Sequence, residues 1–270
     1  MRQSRNAPLP KGRPAVAHSA SPALSQNFLI NPHTVNRFVR FAAPAPADRL
    51  VEVGAGKGAL TAALAPHCAG LIAYEIDPRL LPALRRRLAA HPNVRAVRGN
   101  FLAARPPRHP FAVVGSVPYA RTSDVVDWCL RAQRLTSASL ITQREYARKR
   151  TGDYGRWTLL TVRSWPWFGW RLGGSVPRRD FRPVPRVDSA MLRIDRRPRP
   201  LLPLAERARY QRLVDLGFTG TGGSLYATLR TAHPPRRLAA AFSAAGVGQD
   251  TPVGYVTPGQ WLRLHAGLLG

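Results

Sequence analysis

The stretch Val51-Glu52-Val53-Gly54-Ala55-Gly56-Lys57-Gly58 is a short apolar run that passes directly into three alternate glycines. Arg49–Val53 reads as a buried strand, and 59–65 continues beyond the glycines as a helix. Glycines at a strand-to-helix turn let the backbone pass close to a ligand. The G-x-G-x-G spacing differs from the G-x-G-x-x-G of a dinucleotide fold, and no GK[ST] follows to make a Walker loop. A turn that merely joins strand to helix would look the same in isolation, so its surroundings decide. Outward from it, 71–76, Val94–Arg98, 111–115 and 138–142 read as strands. The segment 79–90 reads as a helix, with Leu80, Leu81, Leu84 and Leu88 on or near one face. Strand–helix alternation predicts a Rossmann-like α/β fold with a mostly parallel sheet. Two further strands, 170–176 and 190–194, look like a terminal hairpin and bring the predicted sheet to seven.

Two acids sharpen the reading of the loop. Glu52, two residues before the first glycine, would repel a pyrophosphate but tolerate a cofactor bearing a sulfonium and an ammonium. Glu75 closes the second predicted strand, 17 residues beyond Gly58, where an acid can take both hydroxyls of a ribose. Together they point to S-adenosylmethionine. Asp77 reads as a cap or surface residue.

The 270 residues carry 41 Lys+Arg against 14 Asp+Glu, a formal charge of +27, with 44% hydrophobic residues. The apolar share excludes a disordered chain, and two cysteines, Cys68 and Cys129, exclude a disulfide scaffold. The cysteines read as small buried hydrophobes in a reducing compartment, and a cytoplasmic protein is expected. No apolar run reaches the roughly 18 residues of a membrane span, and no membrane role is expected. The basic charge is almost all arginine; the lysines are Lys11, Lys57 and Lys149. A GC-rich genome favours arginine over lysine, but it does not explain why acids are scarce. A charge made of arginine suits the phosphates and bases of RNA. Residues 1–47 hold no acid, and 141–200 hold 15 basic against 5 acidic residues. The seven histidines are scattered, with no metal-ligand spacing.

The chain divides into three parts. Residues 1–23 read as a flexible basic tail; the composition suits an RNA-gripping arm, and an organelle transit peptide would share it. Residues 24–199 read as the cofactor-binding catalytic domain. The Arg/Pro-rich 196–203 reads as a linker. The segments 207–218, 225–231, 236–245 and 258–268 are helical, so 200–270 reads as a small C-terminal α-helical RNA-binding domain.

Five ordered blocks stand on this framework. They are Ser25-Gln26-Asn27-Phe28-Leu29, Gly99-Asn100-Phe101-Leu102, Gly115-Ser116-Val117-Pro118-Tyr119, the segment 143–156 and the segment Phe181-Arg182-Pro183-Val184-Pro185-Arg186-Val187-Asp188-Ser189. Together they resemble the rRNA adenine N6-dimethyltransferase family. The last two look most like the actinobacterial Erm enzymes, which methylate one adenine of 23S rRNA and confer macrolide–lincosamide–streptogramin B resistance. The resemblance implies a class I S-adenosylmethionine-dependent fold. It implies a monomer acting on protein-free 23S rRNA or an assembling large subunit. A housekeeping 16S rRNA dimethyltransferase and a non-catalytic RNA-binding relative are the alternatives.

The resemblance also implies roles. Asn27 and Leu29 would hold the methionine end of the cofactor, Gly54 and Gly56 would let backbone approach it, and Glu75 and Asn100 would take its ribose and adenine. Ser116 and Tyr119 would line the transfer site, and Phe181 would help sandwich the target base. Arg144, Arg148, Lys149, Arg150, Arg182 and Arg186 would contact RNA, although a solvated helix face would look similar for the cluster 144–150. Three positions depart from the family pattern: Ser116 replaces an Asn or Asp, Asn100 replaces a common Asp, and 219–223 is glycine-rich where related proteins carry basic residues.

Overall fold

A computed structural model describes residues 26–220 and 223–269. The tail 1–23, Ser25, Thr221 and Gly222 lie outside the described residues. The order is β1 (Phe28–Leu29), α1 (Pro32–Ala42), β2 (Arg49–Val53), α2 (Ala59–Leu64), β3 (Gly70–Glu75), α3 (Leu81–Leu88), β4 (Val94–Arg98) and β5 (Phe111–Ser116). It continues with α4 (Thr122–Arg131), β6 (Leu135–Gln143), α5 (Arg144–Thr151), α6 (Leu159–Ser164), β7 (Phe168–Val176), β8 (Phe181–Arg182) and β9 (Ser189–Arg196). Four helices close the chain: α7 (Arg207–Gly217), α8 (Leu225–Leu229), α9 (Pro235–Ala245) and α10 (Pro258–Leu269).

The main sheet has seven strands in the order β4-β3-β2-β5-β6-β9-β7. Strands β2 to β6 are mutually parallel, and β9 runs antiparallel between β6 and β7. The predicted hairpin is therefore present, with its second strand inserted next to β6. Strand order reverses at β2 and β5, whose carboxyl ends form the crevice where open α/β sheets place ligands. A small second sheet, not predicted from sequence, pairs β1 with β8 so that Leu29 faces Phe181.

Side-chain alternation sends each strand to two cores. Leu50, Leu71, Ala73, Ala112 and Val114 pack with α1, α2 and α3, whereas Val51, Val53 and Val113 pack with α4 and the C-terminal helices. The C-terminal helices share that second core. Tyr210 of α7 lies edge-on to Trp167 and donates its hydroxyl to the Val162 carbonyl at 3.0 Å. Trp261 of α10 stacks on Phe218. Arg196, expected from sequence to open the linker, ends β9 instead. Its guanidinium covers the Phe168 ring and donates to the carbonyls of Leu135 and Ala132. Helix α1 has its own start signal, Asn31 accepting from the His33 N–H with Pro32 at the first turn, which the apolar periodicity does not reveal. Cys68 and Cys129 are both free and buried.

Gly115 is the residue that lets β5 lie against β2 at the crevice. Its φ is 155°, and a Cβ there would stand 2.6 Å from the Val53 carbonyl oxygen. Backbone cannot yield as a side chain does. Gly115→Ala is therefore expected to cost about 2 kcal/mol and lower the melting temperature by roughly 4–8 °C. A thermal melt with an unchanged midpoint would contradict this close approach.

Candidate functional site

The glycine loop is shaped by the acid that ends β3. Gly54 and Gly56 take φ of 68° and 58°, in the left-handed region that favours glycine. The Glu75 carboxylate accepts from the Gly56 N–H at 2.7 Å with one oxygen and from the Asp77 N–H at 2.8 Å with the other. Ala55 N–H donates to the Tyr74 carbonyl at 2.9 Å. Glu75 thus clips the loop after β2 to the end of β3, and it lines the cavity beside that loop. Asp77 caps the next turn, accepting from the Arg79 N–H and guanidinium. Its carboxyl is held below the usual range by those bonds.

The cavity has a volume of about 480 Å³ and lies at the carboxyl ends of β2, β3, β4 and β5. Asn27, Gly54, Gly56, Glu75, Asn100, Ser116, Tyr119 and Phe181 all line it, although they come from segments spread over the first 181 residues. The structure adds Phe28, Tyr74 and Ile76, which sequence reasoning does not single out. Ile76, expected within the strand, lies just beyond β3 and is 48% exposed. Asn100 caps a short turn, its Oδ1 accepting from the Leu102 N–H at 3.0 Å. That bond fixes which way the amide points, so its NH2 is available as a donor to a ligand. A flip that offered the oxygen instead would break the cap.

Leu29 and Glu52 lie elsewhere. Leu29 is a core residue of β1 that lines a second cavity of about 640 Å³, under the glycine loop beside α1 and α2. Glu52 lines the same second cavity, because alternation along β2 turns its side chain to the face of Leu50. The two cavities meet at Asn27, Phe28, Gly54, Gly56 and Ser116. Glu52 is 1% exposed, and its Oε2 has no hydrogen-bond partner among the described residues. Burial pushes its carboxyl up to about 7; the Thr61 hydroxyl opposes the shift and Glu75 adds to it. Between pH 4.5, the ordinary value, and about 7 the folded chain keeps a proton that the unfolded chain releases. Stability is therefore expected to fall as pH rises through that window, by at most about 3 kcal/mol. Glu52→Gln should flatten the profile. Parallel denaturation curves of both proteins at pH 5 and 8 check this, and equal pH dependence would contradict it.

The far end of the cavity carries the aromatic groups. Tyr119 is half-buried, and its hydroxyl shares a 2.8 Å hydrogen bond with Ser189 Oγ on β9, 70 residues away. Burial raises the phenol above its ordinary range, so it stays protonated. Ser116 ends β5 between the two cavities, and its hydroxyl makes no hydrogen bond to another described residue. Phe181 reaches the cavity only at its edge: its ring is 1% exposed and belongs to the core under β1. A buried carboxylate holds that corner together. Asp180 accepts from Asn31 Nδ2 at 2.9 Å and from the Thr34 hydroxyl at 2.6 Å, tying α1 to the turn before β8. Sequence reasoning assigns no role to Ser189 or Asp180 because each acts across more than 60 residues of chain.

The predicted basic cluster lies on and around α5, and acids accompany it. Arg144 pairs with Asp188 at 3.7 Å, Lys149 with Glu145 at 3.8 Å, and Arg148 with Asp153 while covering the Tyr154 ring. Arg150 donates to Thr158 and stacks on Tyr146. Arg182, on β8, and Arg186, on the loop after it, are exposed, and Arg182 lines the second cavity.

A Rossmann-like parallel sheet, a glycine loop at the switch point, and an acid ending the next strand define a class I S-adenosylmethionine-dependent methyltransferase. A family model described as ribosomal RNA adenine dimethylase matches residues 17–268, and the chain belongs to that family. It is 61% identical over 243 residues to an rRNA adenine N-6-methyltransferase of Streptomyces fradiae, covering 89% of this chain and 76% of the relative. The crystal structure of the 23S rRNA methyltransferase ErmE superposes with a TM-score of 0.87 at 49% identity, covering 90% of this chain and 99% of that one. A ribosomal RNA small subunit methyltransferase A of Thermobifida fusca is 36% identical over 236 residues, covering 83% of this chain and 82% of that one.

Proposed function

We propose that this protein transfers methyl groups from S-adenosylmethionine to the exocyclic N6 of one adenine in 23S rRNA. The outcome in the cell would be macrolide–lincosamide–streptogramin B resistance. The observation that carries the reading is one continuous cavity with a carboxylate-clipped glycine loop at one end and Tyr119 beside Ser116 at the other. The higher identity to Erm-type relatives than to the small-subunit enzyme supports 23S over 16S rRNA. On this reading the enzyme works as a cytoplasmic monomer on protein-free or assembling large-subunit RNA. Residues 200–270 then form an RNA-binding unit. Among the described residues, no helix is long and apolar enough to cross a membrane.

The residues present fit the cofactor. Glu75 offers acceptors for ribose hydroxyls, and the Asn100 NH2 offers a donor toward an adenine nitrogen. The buried, unpartnered Glu52 and the adjoining Asn27 suit a cationic amino-acid end. When bound, S-adenosylmethionine supplies an electrophilic methyl carbon on a sulfonium. The chain supplies position. Adenine N6 has a lone pair delocalised into its ring, and it needs no base before attack because the product ammonium loses its proton easily. It does need acceptors that grip its hydrogens, and Ser116 Oγ with the Val117 carbonyl serve there. The target base is splayed out of the RNA and immobilised against Tyr119 and the edge of Phe181, so that proximity lowers the barrier.

Incubation with tritiated S-adenosylmethionine and protein-free 23S and 16S rRNA, followed by nucleoside analysis, tests the reading. Label in N6-methyl- or N6,N6-dimethyladenosine from 23S alone is expected. Label in 16S rRNA, or no label with RNA still bound, would overturn it. The same assay on Ser116→Asn tests whether the short hydroxyl limits transfer: a gain in rate or in dimethylation is expected.

A further inference from the structure

Of the predicted cluster on α5, Arg150 alone lacks an acid partner among the described residues, and a larger set of such arginines lies elsewhere. From Pro78 to Ser123 the chain holds no Asp or Glu, the longest acid-free run among the described residues. It holds nine arginines. Arg79 pairs back to Asp77 and Arg121 forward to Asp124. The other seven make no ion pair to a described residue, whereas Arg144, Arg148 and Lys149 on α5 each have one.

These arginines lie on α3, on the edge strand β4 and on the connection from β4 to β5. β4 is its outermost strand, and α3 covers it through Leu84 and Leu88, which share a core with Val94 and Ala96. Arg85 and Arg86 face solvent from the last turns of α3, and Arg95 and Arg98 are exposed on β4. Arg98 directly precedes Gly99 and Asn100, which line the cavity, so the basic edge starts at the cavity mouth. Arg105 and Arg108 are exposed on the connection to β5, which Trp128 anchors by donating to the Ala104 carbonyl at 3.2 Å.

We propose that this β4–α3 edge is an RNA-binding surface that grips phosphates of the strand flanking the target adenine. The inference rests on the rRNA methyltransferase reading above. Guanidinium forks match phosphate geometry, and an acid-free field does not repel the approaching backbone. The surface reads charge and not sequence, so it supplies affinity and register, while the cavity selects the base. The Arg144–Arg150 side of the molecule, partly neutralised, contributes less of the salt-dependent binding.

The test uses the full chain with Arg85, Arg86, Arg95 and Arg108 all replaced by Gln, and a second variant with Arg144→Gln and Lys149→Gln. Binding to a 23S rRNA fragment is followed by fluorescence anisotropy between about 50 and 200 mM salt. The edge variant is expected to bind at least about 10-fold more weakly at low salt, and its slope of log K against log salt should fall by about 0.7 for each single-strand phosphate that it no longer neutralises. Its S-adenosylmethionine affinity without RNA should equal that of the parent, which shows the fold and cofactor site intact. An edge variant with parental affinity and slope would overturn the proposal. So would a variant that self-associates while binding RNA normally, which would assign the arginines to guarding an open strand edge. So would a larger loss of slope in the α5 variant. A parent protein that neither binds nor labels rRNA would instead remove the underlying functional reading.

Discussion

Glu75→Gln is expected to weaken S-adenosylmethionine binding by about 100-fold and to lower stability by about 2–3 kcal/mol. The carboxylate accepts two backbone N–H groups, one from the glycine loop and one from the turn after β3, and is 3% exposed. An amide has one oxygen. Its NH2 must then face either the Gly56 or the Asp77 N–H, donor against donor, in a place that water hardly reaches. Hydrogen bonds to a charged group are worth about 1.5–3 kcal/mol each, and a buried donor left unmade costs a similar amount. The loop would relax away from β3, and the cavity that both groups shape would lose its wall together with the acceptors proposed for a ribose. Glu75→Asp keeps the charge but not the reach, so it should recover part of the stability and less of the affinity. Titration calorimetry and thermal melts on the two variants separate these effects. Near-parental affinity in Glu75→Gln would show that the clip is not what forms the site.

The strands of the parallel sheet and the glycine loop are legible in the sequence because local residues decide them. Apolar runs of five or six residues and three alternate glycines suffice to place β2, β3 and the turn between β2 and α2. Glu75 is legible for a related reason: an acid ending an apolar strand has few structural excuses. Pairings over distance are not disclosed in the same way. β1 and β8 are two residues each and show no period at all. They exist because Asp180 ties α1 to the turn before β8 and brings the strands of Phe28 and Phe181 side by side. The nearness of Glu52 to Gly54 along the chain suggests a place in the cofactor site. Strand alternation turns it to the α1–α2 side, into the second cavity, which joins the first at Gly54 and Ser116. Phe181 is expected to be a base-stacking ring, and the same small sheet buries most of it. A run of like residues marks the basic cluster on α5. The sequence does not show that Glu145, Asp153 and Asp188 fold back onto it. Nor does the sequence show that the arginines of 85–108 border an edge strand, because the place of β4 in the sheet is set by pairing over distance.

Tyr119 and Ser189 are expected to behave as one unit in catalysis. Tyr119→Ala should reduce methyl transfer by about 10- to 100-fold, the range set by losing one aromatic platform for a base. The ring can serve as a platform only if it keeps its angle, and the 2.8 Å bond between its hydroxyl and Ser189 Oγ fixes it from outside its own loop. Ser189 is fully buried on β9, a strand hydrogen-bonded to β6 and β7, so it is a rigid anchor. Ser189→Ala and Tyr119→Phe each remove that one bond and leave the ring in place. Each should cost about 5-fold, near 1 kcal/mol, in the rate with bound RNA, with little change in S-adenosylmethionine affinity. The double variant should cost no more than the larger single one, because the second substitution has nothing left to break. A general loss of packing would behave differently: it would lower the melting temperature and affect cofactor binding, and its effects would add. Single-turnover rates, RNA affinity and melts on the four proteins of the cycle distinguish the two. Fully additive losses would remove Ser189 from the site and leave Tyr119 to act alone.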